Sequence, residues 1–205
     1  MSSLTLFAFE ENQLGPGSLV VIHGPRGSGK STLARHLARS LTTNSREELV
    51  EVHGEDIGRG VCALIQPTTK VCIFDDCYFG RLKNLRRAYG PRLSPSITTI
   101  VVTPYLKSVP KWFRDEADYV FEFPIGERSN HRSCLGYLPE KIVNLRLQFS
   151  PFETFVVCRH APKYFYYQAP QWPVADAWSV SPHTALGASG SGHCVASVST
   201  KAVVK

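Results

Sequence analysis

Gly24-Pro25-Arg26-Gly27-Ser28-Gly29-Lys30-Ser31-Thr32 decides the reading of this chain. It has the form G-x-x-x-x-G-K-S, the spacing of a phosphate-binding loop. The run Ser18-Leu19-Val20-Val21-Ile22 before it is short and apolar, as a buried parallel strand is. Behind it Leu33, Leu37 and Leu41 recur every four residues beside Ala34 and Ala38, the apolar stripe of a helix. Strand, glycine-rich loop and helix in that order give the motif its chemical meaning.

The residue types suit that chemistry. Gly24 and Gly29 let the backbone turn tightly and approach an anion. The N–H groups from Gly27 to Ser31 are expected to converge on a β-phosphate at the N-terminus of the helix. Lys30 can reach the β- and γ-phosphates as a point charge, and the Ser31 hydroxyl can ligate Mg²⁺. Residues 24–32 are therefore the expected ATP-binding segment, with ATP and Mg²⁺ as the cofactors.

A second motif follows, Lys70-Val71-Cys72-Ile73-Phe74-Asp75-Asp76, an apolar strand ending in two acids. In a phosphate-loop fold the first acid, Asp75, belongs to the Mg²⁺ shell. The second, Asp76, is placed to polarise the attacking water as a general base. Ring ATPases more often use Glu there, and Asp76 is one methylene shorter. Read in isolation, the pair is also what a strand running into an Asp-rich turn looks like.

Composition bounds the rest. The chain has 205 residues, 43% hydrophobic and 20% charged, which suits one globular domain with a real core. Its net charge of +6 favours polyanionic partners. The six cysteines form no C-x-x-C pair and no zinc-type spacing with histidine, so Cys72 and Cys158 read as buried thiols in a reducing compartment. Cys158 beside His160, and His193 beside Cys194, do not make four-ligand sites. The N-terminus lacks the basic and apolar regions of a signal peptide, and no stretch is long enough to span a bilayer. An intracellular soluble protein with no membrane partner is expected.

Residues 1–17 read as a lead-in ending in the turn Gly15-Pro16-Gly17. Strands are expected at Leu49–Val52, at the run ending in Asp75, at the β-branched run Ile97–Thr103 and at Tyr119–Phe123. Helical stretches are expected at 80–89, at Val109–Glu116 and at 138–149. Phe155–Cys158 and Tyr164–Tyr167 read as a terminal hairpin. Strands alternating with helices imply an α/β fold, a mostly parallel sheet flanked by helices. From about Pro170 the pattern dissolves into Ser, Gly, Ala and Val without a period. The organisation expected is an ATPase domain over 1–169 and a disordered tail over 170–205.

Between the second motif and the hairpin lie Thr98-Thr99-Ile100-Val101-Val102-Thr103, Val109-Pro110, Arg114 and Ala117-Asp118-Tyr119-Val120-Phe121. This order, with Phe155-Val156-Val157-Cys158 downstream, resembles the viral genome-packaging ATPases of the FtsK/HerA clade, the poxvirus-type packaging family of P-loop NTPases. The resemblance covers about residues 15–168. It implies an ATP-hydrolysing motor that translocates double-stranded DNA into a capsid, works as a homo-oligomeric ring and contacts a capsid protein. It places the protein in a host cytoplasm or nucleus, or with the virion. It also implies an arginine supplied by one subunit to the site of the next, and Arg114 occupies the position for that finger. The alternative is a helical ion pair of Arg114 with Asp118. The family often ends its fourth strand in Gln or Asn. Here that strand ends Thr103-Pro104-Tyr105, and Thr103 is the residue left to orient water.

Arg81, Lys83, Arg86, Arg87 and Arg92 are the candidate DNA-facing surface, which would bind phosphates irrespective of sequence. A solvated helix face or a subunit contact gives the same pattern. Three other readings stand beside the motor. A superfamily-3-type viral helicase shares the loop and the acidic strand but normally ends its third strand in Asn. A nucleotide kinase would need a lid of arginines, for which Arg128 and Arg132 are available. A non-enzymatic nucleotide-binding scaffold fits poorly with an intact Lys30, Ser31 and Asp75.

Overall fold

Five runs of the chain have the β-branched and aromatic composition of strands covered on both faces, and they assemble into one sheet. In the computed structural model the described residues are 6–43, 46–54, 64–77, 94–123, 153–160 and 164–168. All fall within one compact unit, Met1–Gln171. The strands are β1 (Phe7–Ala8), β2 (Leu19–His23), β3 (Leu49–His53), β4 (Val71–Asp75), β5 (Thr98–Thr103), β6 (Tyr119–Glu122), β7 (Glu153–Cys158) and β8 (Tyr164–Gln168). The helices are α1 (Lys30–Leu41) and α2 (Lys111–Glu116). The expected helices at 80–89 and 138–149, the basic residues from Arg81 to Arg92, Arg128, Arg132 and the 170–205 tail lie outside the described residues.

The eight strands run in the order β1-β8-β7-β6-β2-β5-β4-β3. β2 is parallel to both β5 and β6, and β4 is parallel to both β5 and β3. β7 is antiparallel to β6 and to β8, which is the expected terminal hairpin. The α/β class and the mostly parallel sheet are as read from the sequence. Every residue of β2, β4 and β5 is buried.

Side-chain alternation divides the core between two faces. Val20, Ile22, Val71, Ile73, Ile100 and Val102 pack with Leu33 and Leu37 of α1. Leu19, Val21, Cys72, Phe74 and Val101 pack on the other face with Phe113 of α2. Burial pushes the Cys72 thiol far above its ordinary range, so it stays an inert thiol. α1 has no side-chain hydrogen bond at its N-cap. Burying Leu33 and Leu37 contributes about 1.5–3 kcal/mol each, more than the ~1 kcal/mol a side-chain cap would add. The helix can therefore leave its first N–H groups open.

The lead-in is more integrated than its sequence suggests. β1 adds to the sheet edge in parallel with β8, pairing Phe7 with Phe165. Next to it Phe9, 5% exposed, meets Tyr119, Phe121, Phe165 and Tyr167 edge-on at ring separations of 5.4, 5.1, 5.9 and 6.0 Å. A two-residue strand has no period to read, and its partner lies far along the chain. The following 3₁₀ turn, Glu11–Gln13, is tied down by Glu11. Tyr167 donates its hydroxyl to the Glu11 carboxylate at 2.6 Å, and the His36 ring of α1 meets the same oxygen. Partial burial raises the Glu11 pKa, but these two contacts outweigh it and hold the carboxyl below its usual range.

Phe9→Ala therefore removes a plug from the β6–β8 side of the sheet. A loss of about 3–5 kcal/mol in urea unfolding is expected, the range for truncating a buried aromatic. A loss within the ~0.5 kcal/mol typical of surface substitutions would show that the lead-in is an appendage.

Candidate active site at the C-terminal edge of the sheet

β2 delivers the chain to Gly24 at its C-terminal end, and residues 24–29 turn there into α1. Gly24 has φ +153°, and a Cβ at this position would lie 2.6 Å from the Phe123 Cβ. Gly29, the N-cap, has φ +92°, in the left-handed region that favours glycine. The loop thus curls over the open N-terminus of α1, where the N–H groups and the helix dipole favour an anion. The Ser28 hydroxyl is buried in this loop with no hydrogen-bond partner among the described residues. Such an orphaned donor fits a ligand oxygen.

Lys30 begins α1, and its ammonium donates to the Pro25 carbonyl at 2.6 Å. Partial burial draws it below its usual range, Arg26 adds to this, and the charges of Asp75 and Asp76 oppose it. The acids at the end of β4 therefore act on the loop lysine although β5 lies between their strands. Strands are spaced about 4.8 Å apart, so two steps put β4 roughly 10 Å from β2, the span of a triphosphate and its metal. Pro25, Arg26, Gly27, Ser28, Ser31 and Thr32 all lie at this edge, in the loop or the first turn of the helix.

Asp75 and Asp76 differ in their setting. Asp75 is 8% exposed, and one of its carboxylate oxygens accepts the Asp76 N–H at 2.9 Å. Asp76 is exposed and has φ +55°, the one non-glycine residue with positive φ among the described residues. A backbone of that kind costs of order 1–3 kcal/mol where it is strained, and Asp tolerates it better than most residues. The turn is held from below. Cys77 donates its N–H to Val102 at 2.9 Å and its thiol to Phe74 at 3.3 Å.

Thr103 plays a different part from the one read in the sequence. It is fully buried, and its hydroxyl donates to the Cys77 carbonyl at 2.9 Å. The proton expected to orient water is used to brace the turn behind Asp76. The position of Arg114 follows from the path of the chain. The chain leaves the C-terminal end of β5, runs back through α2, and reaches Asp118, whose N–H bonds to Leu19 at the start of β2. Arg114 sits in the last turn of α2 and so belongs to the end of the sheet away from residues 24–32. Nor does it take the alternative ion pair. Asp118 accepts the Leu19 N–H at 2.7 Å and meets His160 at 2.6 Å, while Arg114 Nε is buried without a hydrogen-bond partner among the described residues.

Several polar residues at this edge were not singled out in the sequence. His23 and Glu122 are fully buried at the ends of β2 and β6, 3.4 Å apart, directly before Gly24. Arg35, Glu51 and His53 flank Asp75. Each is an isolated polar residue in an apolar or mixed run. The one available signal was that His23, His53, Asp75 and Glu122 all close strands.

This arrangement of sheet and helices has counterparts among solved proteins. The chain has the fold of a viral genome-packaging NTPase. The NTPase B204 of Sulfolobus turreted icosahedral virus 2, solved with AMPPCP, superposes with a TM-score of 0.57 at 13% identity, over 77% of this chain and 100% of that one. Its complex with ATP-gammaS gives 0.60 at 13% identity over the same shares. B204 of Sulfolobus turreted icosahedral virus, described as a DNA-packaging ATPase, gives 0.58 at 15% identity, again over 77% and 100%. Residues 11–104 match the family described as Novel STAND NTPase 3. That segment holds both the loop and the acidic strand. No curated protein matches the chain.

Thr103→Val keeps the side-chain shape and deletes the hydroxyl donor. A loss of about 1–3 kcal/mol is expected in urea unfolding, the cost of leaving a buried polar group unmet, with Thr103→Ser recovering most of it. Equal stability of Thr103→Val and wild type would remove Thr103 from the account of the turn.

Proposed function

We propose that this protein hydrolyses ATP at residues 24–32 and uses the energy to move double-stranded DNA during viral genome packaging. The observation that carries the reading is the convergence at one sheet edge of an uncapped α1, the Lys30 ammonium and the Asp75–Asp76 turn. The shared fold with the B204 NTPases, solved with ATP analogues, supports it. The matches to a packaging NTPase extend along 77% of the chain, and this favours a motor over a helicase or a kinase.

In this reading the N–H groups of 27–31 bind the β-phosphate and Lys30 spans the β- and γ-phosphates. Ser31 and Asp75 are hard oxygen donors of the kind that hold Mg²⁺, which when bound offsets charge on the phosphate oxygens. Asp76 accepts a proton from the attacking water. The water oxygen bonds to the γ-phosphorus, the bond to the bridging oxygen breaks, and ADP and phosphate leave. Arg114 lies in the last turn of α2, on the return toward the start of β6, and its finger role in this reading falls at the site of a neighbour in a ring. No described helix is long and apolar enough to cross a membrane.

The test is steady-state hydrolysis of ATP with duplex DNA, single-stranded DNA or nucleosides present. Lys30→Ala is expected to lose orders of magnitude in kcat while keeping its fold, because the cation's contribution develops in the transition state. Asp76→Asn is expected to retain ATP binding and lose turnover. Mixing Arg114→Ala with Lys30→Ala subunits is expected to restore part of the rate, since some interfaces then pair an intact loop with an intact arginine. Near-wild-type turnover by Lys30→Ala contradicts the site. Stimulation by single strands or nucleosides instead of duplex contradicts the motor.

A further inference from the structure

β3 is the outer strand of the sheet on the β4 side, and its last residue, His53, is paired in register with Asp75. His53 is 47% exposed by its side chain, Glu51 only 5%. Both stand on the face that carries α1, because Leu49, Glu51 and His53 alternate with Val50 and Val52. The imidazole lies between two carboxylates. Its Nε2 is 3.1 Å from Glu51 Oε1, and its Nδ1 is 3.6 Å from Asp75 Oδ2. Glu51 is itself clamped by Arg35 of α1, which donates to Oε1 through Nε at 3.0 Å and through its terminal nitrogen at 2.7 Å.

Arg35, Glu51, His53 and Asp75 thus form a chain of alternating charge type from the helix behind the phosphate loop to the end of β4. The His, Glu and Asp donor atoms lie close enough together to suggest a metal site. The arrangement argues against chelation. The two ring nitrogens face different carboxylates, and both oxygens of Glu51 already accept from Arg35, Oε1 at 3.0 and 2.7 Å and Oε2 at 3.2 Å. Asp75, in contrast, has both oxygens faced: Oδ1 accepts the Asp76 N–H at 2.9 Å, and Oδ2 lies at ion-pair distance from the ring, longer than a hydrogen bond.

We propose that His53 is a positioning residue for Asp75. Through Glu51 and Arg35 it anchors the metal-side carboxylate to α1, so that loop and acid keep one spacing. This rests on the nucleotide-site reading above and adds residues that neither motif contains. Partners behind a ligating carboxylate set its orientation and hence the affinity of the site.

The test is a titration of Mn²⁺ into the full chain with a non-hydrolysable ATP analogue, following the free Mn²⁺ signal by electron paramagnetic resonance. His53→Ala is expected to weaken Mn²⁺ binding by about 10- to 100-fold, the usual effect of losing such a partner. His53→Gln, which keeps a polar N–H group of similar length beside Asp75, is expected to recover most of that loss. Because the residues act in series, His53→Ala/Glu51→Gln should bind no more weakly than His53→Ala alone. Thermal melting of each variant checks the fold. Folded His53→Ala with wild-type Mn²⁺ affinity overturns the proposal and leaves the nucleotide site standing, as do losses that simply add in the double variant. Failure of the wild-type chain to bind Mn²⁺ with nucleotide overturns both.

Discussion

β2 is hydrogen-bonded along both edges, to β5 and to β6, and all five of its residues are buried. β4 and β5 share this double pairing and full burial, but of the three only β2 leads into residues 24–29. At its start the Leu19 N–H is met by the Asp118 carboxylate at 2.7 Å, so this end is pinned as well. The loop that follows inherits this rigidity. Gly24 leaves the sheet against Phe123, and α1 begins at Lys30, packed by Leu33 and Leu37 onto the same strand. A loop with little apolar surface of its own is therefore held at both ends by core packing, which is what preorganised anion binding needs.

The same constraint separates the chemistry into layers. The α1 face carries Asp75 and the Arg35–Glu51–His53 chain, while the opposite face buries His23, Thr103 and Glu122. Taking an ionisable group out of water generally costs several kcal/mol, so groups such as His23 and Glu122 are expensive to keep. Their place directly under Gly24 ties the ends of β2 and β6 to the root of the loop. Thr103, from β5 on the other side of β2, holds the turn that presents Asp76. Three neighbouring strand ends thus support the loop and the acids from beneath.

Much of this was legible in the sequence because it depends on local pattern. Glycine spacing marks the loop, apolar runs mark the buried strands, and the four-residue recurrence of Leu33, Leu37 and Leu41 marks α1. Asp75 could be read because it ends such a run. What was not legible depends on distant pairing. β1 is two residues long and exists only through β8. Thr103 was read as facing water because its neighbour in space, the Cys77 carbonyl, is not its neighbour in sequence. The direction in which α2 carries Arg114 is set by the parallel return to β6, which no short motif encodes. His53 and Glu51 look like ordinary polar positions of an edge strand until register sets them against Asp75.

The most direct measurement is a crystal structure of the full chain with Mg²⁺ and a non-hydrolysable ATP analogue. The account predicts triphosphate density within residues 24–32, against the N-terminus of α1, with the metal beside Ser31 and on the side of Asp75. Nucleotide density elsewhere on the chain, with residues 24–32 holding no phosphate at saturating concentration, would contradict it.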